Sequence, residues 1–377
     1  MEKIISITFL ILLKLSVVAQ IANVEEKFTL PSMLDESSGA IFFNDKLLTH
    51  NDSGNSNELY ELDTVSESVT RTITIDNATN IDWEDLTQDN TSIYIGDIGN
   101  NNGNRTDLKI YKIDKTDFLN STNVTAEIIN FNYSDQTDFS ANPNNTEWDA
   151  EALIAFDSSL ILLTKNWVSG VTKAYPIPKN SGTYAVDPLV TQLTSGGLIT
   201  GSTYNQLTEK VYSVGYSEAL QPFIWISEGF SGNDIFSGTN TQVSLSSLGL
   251  EQVEAITHIG ANRYFMTSES FSISVFSDVA KLISFATNDT VLSTDQLSIN
   301  QVRLYPNPTS GGINIDLVDV NSEISIRVSN VLGETIHSST IEGQEHTTLN
   351  IEGEKGVYFV ELTNDKRERN IFKVIKD

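Results

Sequence analysis

The chain of 377 residues contains no cysteine. Disulfides, thiolate nucleophiles and zinc–thiolate centres are thereby excluded. Histidine is nearly as scarce: His50, His258, His337 and His346 are the whole complement, too few for a histidine-rich metal centre. Positive charge is short as well, with 23 Lys and Arg against 50 Asp and Glu and a formal net charge of −27. A polyanion would be repelled, which excludes nucleic-acid binding as a function class. Carboxylates in this number suit hard cations instead. Beyond the N-terminal stretch no apolar run reaches the ~20 residues that a membrane-spanning helix needs.

What is present begins with a leader. Lys3 precedes the mostly apolar run from Ile4 to Leu13, Lys14 interrupts it, and Val17-Val18-Ala19 offers small residues. Residues 1–19 therefore predict a cleaved secretory signal. A repeat follows. Asp82-Trp83-Glu84-Asp85-Leu86 returns as Asp149-Ala150-Glu151-Ala152-Leu153 and as Gln252-Val253-Glu254-Ala255-Ile256. Asp35-Glu36-Ser37-Ser38-Gly39 is a looser copy, and Leu198-Ile199-Thr200-Gly201-Ser202 keeps an oxygen at Thr200 in place of the acid. Each copy opens an apolar strand, and a second strand follows at nearly fixed distance: 97−84, 164−151 and 267−254 each give 13, while 214−200 and 50−36 give 14. The copies start at 36, 84, 151, 200 and 254, a period of roughly 50 residues built from short strands, which is the mark of a propeller-like array.

The predicted fold is thus all-β: a five-bladed β-propeller over residues 23–290, or six-bladed if two units have been merged. The last unit is one strand short. The polar-apolar segment Asn23 to Leu30 is expected to supply that strand and close the ring, which would otherwise expose an edge. Residues 291–300 read as a polar linker. In residues 301–377, short alternating strands such as Ile313-Asn314-Ile315-Asp316-Leu317 and Val357-Tyr358-Phe359-Val360-Glu361-Leu362 predict a small Ig-like β-sandwich.

The innermost strand of every propeller blade runs beside the central axis, so equivalent residues converge there. Glu36, Glu84, Glu151, Thr200 and Glu254 are the expected ring. Two unit charges ~4 Å apart repel by about 4 kcal/mol at an effective dielectric of 20. Either some carboxylates take up protons or a cation joins them, and an all-oxygen cage suits Ca²⁺. The competing reading is that these side chains cap blade tops by bonding backbone N–H groups. The loops at the same mouth carry further polar residues. Lys165 and Arg105 are candidates to bind an anionic group, and Asp52 or Asp97 to orient or deprotonate a water. His50, Trp83 and Trp167 complete the candidate ligand-contacting set. Asp52, Asp97 and Lys165 are the candidate catalytic residues. Turn formation by the Asp- and Asn-rich loops, and packing of Trp83 between blades, are the plainer readings of the same residues.

Two resemblances rest on these motifs. Tyr305-Pro306-Asn307-Pro308, Asn330-Val331-Leu332-Gly333, Gly356-Val357-Tyr358 and the basic end Phe372-Lys373-Val374-Ile375-Lys376 resemble the type A sorting domain of the type IX secretion system of Bacteroidetes. That resemblance implies export through the type IX machinery, then release or attachment at the outer cell surface. The order Glu36, Glu84, Glu151, Thr200, Glu254 is similar to calcium-activated nucleotidases of the apyrase type, propellers that hold Ca²⁺ with one Glu or Ser per blade. The expected protein is therefore a secreted or surface-attached propeller with a central Ca²⁺ site that binds a partner, a glycan or an anionic small molecule at its mouth. The alternative is a Ca²⁺-dependent phosphohydrolase, nucleotidase- or phytase-like, acting at that mouth.

Overall fold

A computed structural model describes residues 21–273, 276–291, 302–317, 323–331, 333–342, 346–364 and 369–377. The predicted leader at 1–19, linker residues 292–300 and Leu332 of the Asn-Val-Leu-Gly motif lie outside those residues. The chain divides after Asp289 into two compact units.

The first unit contains five sheets of three to five strands, each opening on one copy of the repeat. Their first strands are Ser37–Phe43, Trp83–Gln88, Ala150–Phe156, Leu198–Asn205 and Gln252–Gly260. These inner strands contact one another in cyclic order, and the fifth returns to the first. The inner strands are largely buried on both faces, and apolar side chains fill five cores between successive sheets. Ile41, Leu59 and Ile73 of the first sheet meet Trp83, Ile93 and Tyr111 of the second. At the closure Ala40, Leu47 and Leu62 of the first sheet meet Ala255, Phe265 and Leu282 of the fifth.

Closure is made by the N-terminal strand. Ala22–Thr29 pairs antiparallel with Lys281–Ala286 and is the outer strand of the fifth sheet. One repeat does not give one sheet everywhere, however. Gly182–Val186, from the third repeat, pairs parallel with Glu127–Tyr133 of the second sheet, leaving the third sheet with three strands. Asn123–Val124 is likewise lent to the first sheet, parallel to Ser68–Ile75. Both loans cover an outer strand edge that would otherwise present unpaired N–H and C=O groups.

In the second unit, Arg303–Tyr305, Gly312–Asp316 and His346–Asn350 form one antiparallel sheet, and Thr335–Glu342, Glu323–Asn330, Gly356–Asn364 and Arg369–Lys376 form another. Ile313, Ile315, Ile326, Val328, Val360 and Val374 share one core. Asn307 of the Tyr-Pro-Asn-Pro motif brackets the last strand. Its side-chain amide donates to the Lys373 carbonyl at 2.8 Å, and its side-chain oxygen accepts from Ile375 N–H at 2.9 Å.

Candidate functional site

The repeat motif builds the same local device in every sheet, a β-bulge. In the second sheet Trp83 pairs with Asp97 and Asp85 with Gly96, leaving Glu84 as the extra residue. Glu151, Thr200 and Glu254 occupy the same place in the third, fourth and fifth sheets. A bulge sets two residues against one on the partner strand and re-aims their side chains. Equivalent bulges on five inner strands thus turn their side chains toward one hub.

The first sheet corrects one expectation. Ser37 pairs with Asn51 and Ala40 with Thr49, so the shift falls at Ser38 and Gly39, two residues beyond Glu36. Glu36 is exposed and accepts a hydrogen bond at 2.6 Å from the Asn55 side chain. Ser38 takes the hub position, 2 % exposed, and its hydroxyl donates to the Glu84 carbonyl at 2.7 Å. The signal for this was present: counting back 13 from Asn51, as Asp97 to Glu84 and Thr164 to Glu151 do, lands on Ser38. Thr200 behaves like Ser38, its hydroxyl donating to the Val253 carbonyl of the next sheet at 2.6 Å. These two hydroxyls therefore stitch neighbouring inner strands together.

The carboxylates of the hub fall into two groups. On the first and second sheets, carboxylate oxygens of Asp52, Asp82 and Glu84 all lie within 4.8 Å of one another. Asp82 stands at the entry to its inner strand and Asp52 just beyond the end of Lys46–Asn51. Glu84 is 3 % exposed, and among the described residues its carboxylate has no hydrogen-bond donor and no basic partner. Burial first, then the charges of Glu151, Asp52 and Asp82, push its pKa well above the usual carboxylate range. Burial, then Asp52 and Asp149, push Asp82 up to about 7. Burial also raises Asp52. Gly99 makes room for this trio, since a Cβ there would stand 2.5 Å from the Asp82 carboxyl and closer still to Glu84 Oε1.

On the third to fifth sheets the negative charge already has a partner. Lys165 Nζ lies 2.9 Å from Glu151 Oε1, with the lysine side chain 9 % and the glutamate 4 % exposed. Burial works against the ammonium, yet Glu151 and Glu254 hold it well above its ordinary range. Burial pushes Glu151 up from the usual carboxylate range, and Lys165 opposes that shift. The ammonium also stands over the rings of Trp167 and Tyr216, at 5.2 and 5.9 Å from their centres. Glu254 is pushed up to about 7 by burial, with Lys165 opposing the shift.

The remaining expected residues have structural partners. Arg105 donates to Asp97 at 2.8 Å, to Asp107 at 3.0 Å and to the Gly99 carbonyl at 2.8 Å. It is thus spent on its own loop rather than left to bind an anion. Trp167 donates from its indole N–H to Asp149 at 2.7 Å. Trp83, read as ligand-contacting, is fully buried, donates to the Thr79 carbonyl at 3.2 Å and packs edge-on against His50. His50 is itself fully buried, and burial holds its pKa down to about 4. It is a neutral core imidazole, unsuited to meet a ligand. Asp97 has one oxygen on Arg105 and one, Oδ2, buried without a hydrogen-bond partner.

The residue that motif reading missed is Asp85. Directly after the bulged Glu84 and fully buried, it accepts from Leu86 N–H at 2.7 Å, from Leu153 N–H of the third sheet at 2.8 Å and from Ser202 N–H of the fourth at 3.4 Å. One carboxylate thereby ties three inner strands together. The repeat contains no acid at the matching place in its other copies, where Ser38 is followed by Gly39, Glu151 by Ala152, Thr200 by Gly201 and Glu254 by Ala255. That singularity was the available signal.

A model of the secretion system C-terminal sorting domain matches residues 303–377. The tail marks a secreted or cell-surface protein handled by the type IX machinery. No helix among the described residues is long and apolar enough to cross a membrane. No curated protein matches the chain. Among solved structures, an exo-β-1,3-galactanase from Phanerochaete chrysosporium is 10 % identical with a TM-score of 0.44, covering 94 % of this chain and 100 % of that one. An aldose sugar dehydrogenase from Streptomyces coelicolor is 10 % identical with a TM-score of 0.41, covering 71 % and 98 %. Neither likeness is close enough to carry an argument about activity.

Proposed function

We propose that this is a secreted, five-bladed β-propeller with an Ig-like sorting module, which holds a calcium ion at its hub and presents the surrounding mouth to a ligand or partner. The observation that carries the reading is Glu84: a buried carboxylate without a donor, beside Asp52 and Asp82, with oxygens within 4.8 Å of one another. Like charges held that close, with Glu84 largely out of water, favour uptake of a proton or a cation. Three carboxylates from two backbone segments, Asp52 after one strand and Asp82 and Glu84 at the start of another, form a hard, all-oxygen donor set. Such a set suits Ca²⁺, which accepts 6–8 oxygens in flexible geometry, better than Mg²⁺, which demands a near-ideal octahedron.

A binding role is favoured over phosphoester hydrolysis. Phosphoester hydrolysis at this mouth would draw on the Lys165 and Arg105 side chains, beside the ion, to meet the phosphate. Lys165 is taken by Glu151, and Arg105 by Asp97 and Asp107. The ion's chemical contribution is then charge compensation that fixes the mouth loops carrying Asp52 and Asp82. Calorimetric titration of the chelator-treated full chain tests this. One calcium per chain, lost in Asp82→Asn/Glu84→Gln, is the expected result. Unchanged calcium binding in that variant, or none in the wild type, overturns the reading.

A further inference from the structure

The second group of hub carboxylates has a different occupant. Glu151 and Glu254 come from the third and fifth sheets, which are not neighbours in the ring. One ammonium, that of Lys165, pairs with Glu151, and Glu254 lies within reach of its field. It touches Glu151 at 2.9 Å and stands over Tyr216 of the intervening fourth sheet at 5.9 Å. A charge that answers to three sheets at once lies on the side of the hub that those sheets enclose. It is also locked there: the side chain is 9 % exposed and arises directly after the second strand of the third sheet, Ser159–Thr164.

We propose that Lys165 is the resident cation of this half of the hub, a tethered ammonium standing where a second divalent ion would otherwise sit among Glu151, Glu254 and Thr200. This rests on the calcium reading above and refines it. The five-membered ring of ligands expected from the repeat is divided in two: Lys165 supplies a fixed positive charge to the third-to-fifth-sheet side, and the soluble ion is displaced to Asp52, Asp82 and Glu84. A single strongly hydrated point charge with three donors suits the role, since it satisfies carboxylate oxygens without a fixed coordination polyhedron. The device makes half of the hub independent of ambient calcium and leaves the other half responsive to it.

Removing the tethered charge while keeping the chain length should open the second site. Native mass spectrometry of the full chain at saturating calcium is expected to count one ion in the wild type, two in Lys165→Met, one in Lys165→Arg and one in Lys165→Met/Glu151→Gln. A wild type without calcium would instead remove the calcium reading itself. One ion in Lys165→Met, as in the wild type, overturns the proposal. Lys165→Met that folds only when calcium is added supports the proposal, because a solution cation then replaces the tethered one. Lys165→Met that stays unfolded at saturating calcium, by circular dichroism, overturns it.

Discussion

Glu84→Gln separates an ion site from a structural cap by the sign of its effect. At the 4.8 Å limit and an effective dielectric of 20, each ionised pair among Asp52, Asp82 and Glu84 repels by about 3.5 kcal/mol. Glu84 takes part in two of the three pairs, so full ionisation would load about 7 kcal/mol on this one side chain. Proton uptake relieves much of that in the ion-free protein. The amide, isosteric and uncharged, is then expected to stabilise the chelator-treated chain by about 1–2 kcal/mol, or roughly 2–8 °C of melting temperature for a domain of this size. In calcium at a hundredfold its dissociation constant the order reverses. The wild type gains about 2.7 kcal/mol from the bound ion and the variant does not. Differential scanning calorimetry with and without chelator reads both limbs. A cap that bonds backbone N–H groups would lose those bonds under every condition. A variant less stable than the wild type in chelator as well as in calcium therefore refutes the ion-site reasoning.

Gly99→Ala would drive a methyl group into the Glu84 and Asp82 carboxyls, and is expected to abolish the calcium-induced rise in melting temperature. Asp85→Ala leaves the N–H groups of Leu86, Leu153 and Ser202 buried without their acceptor and should cost roughly 3–5 kcal/mol in guanidinium unfolding, independent of calcium. His50 supplies a pH dependence. Its folded value of about 4 lies below the ordinary 6.5, so between those limits the unfolded chain binds the extra proton. Stability from this group is complete above pH 6.5 and is lost as pH falls through the window, by about 1.4 kcal/mol per pH unit. Urea unfolding at pH 4.5 and 7 should show His50→Gln losing about 2–3 kcal/mol less than the wild type between the two.

The repeat marks all five inner strands, and in four of them, at Glu84, Glu151, Thr200 and Glu254, the hub residue as well, because a bulge at a fixed place needs the same short pattern each time. The pairing of Ala22–Thr29 with Lys281–Ala286 was legible in the same way, as a strand too few at one end and one to spare at the other. Glu36 was misplaced because an acid in a similar word outweighed the count from Asn51, which points to Ser38. Asp85 escaped because only the bulge turns two consecutive side chains to the same side.

Sequence by itself determined the all-β character, the period, the sorting tail and the acidity, since each depends on local pattern or composition. Tertiary structure alone decided how the acids are shared out. Lys165 pairs with Glu151, Arg105 pairs with Asp97, and Glu84 is left among like charges, those of Glu151, Asp52 and Asp82. Those pairings join residues on different strands and loops. Their energies depend on separation and burial, two quantities that the order of residues along the chain does not contain.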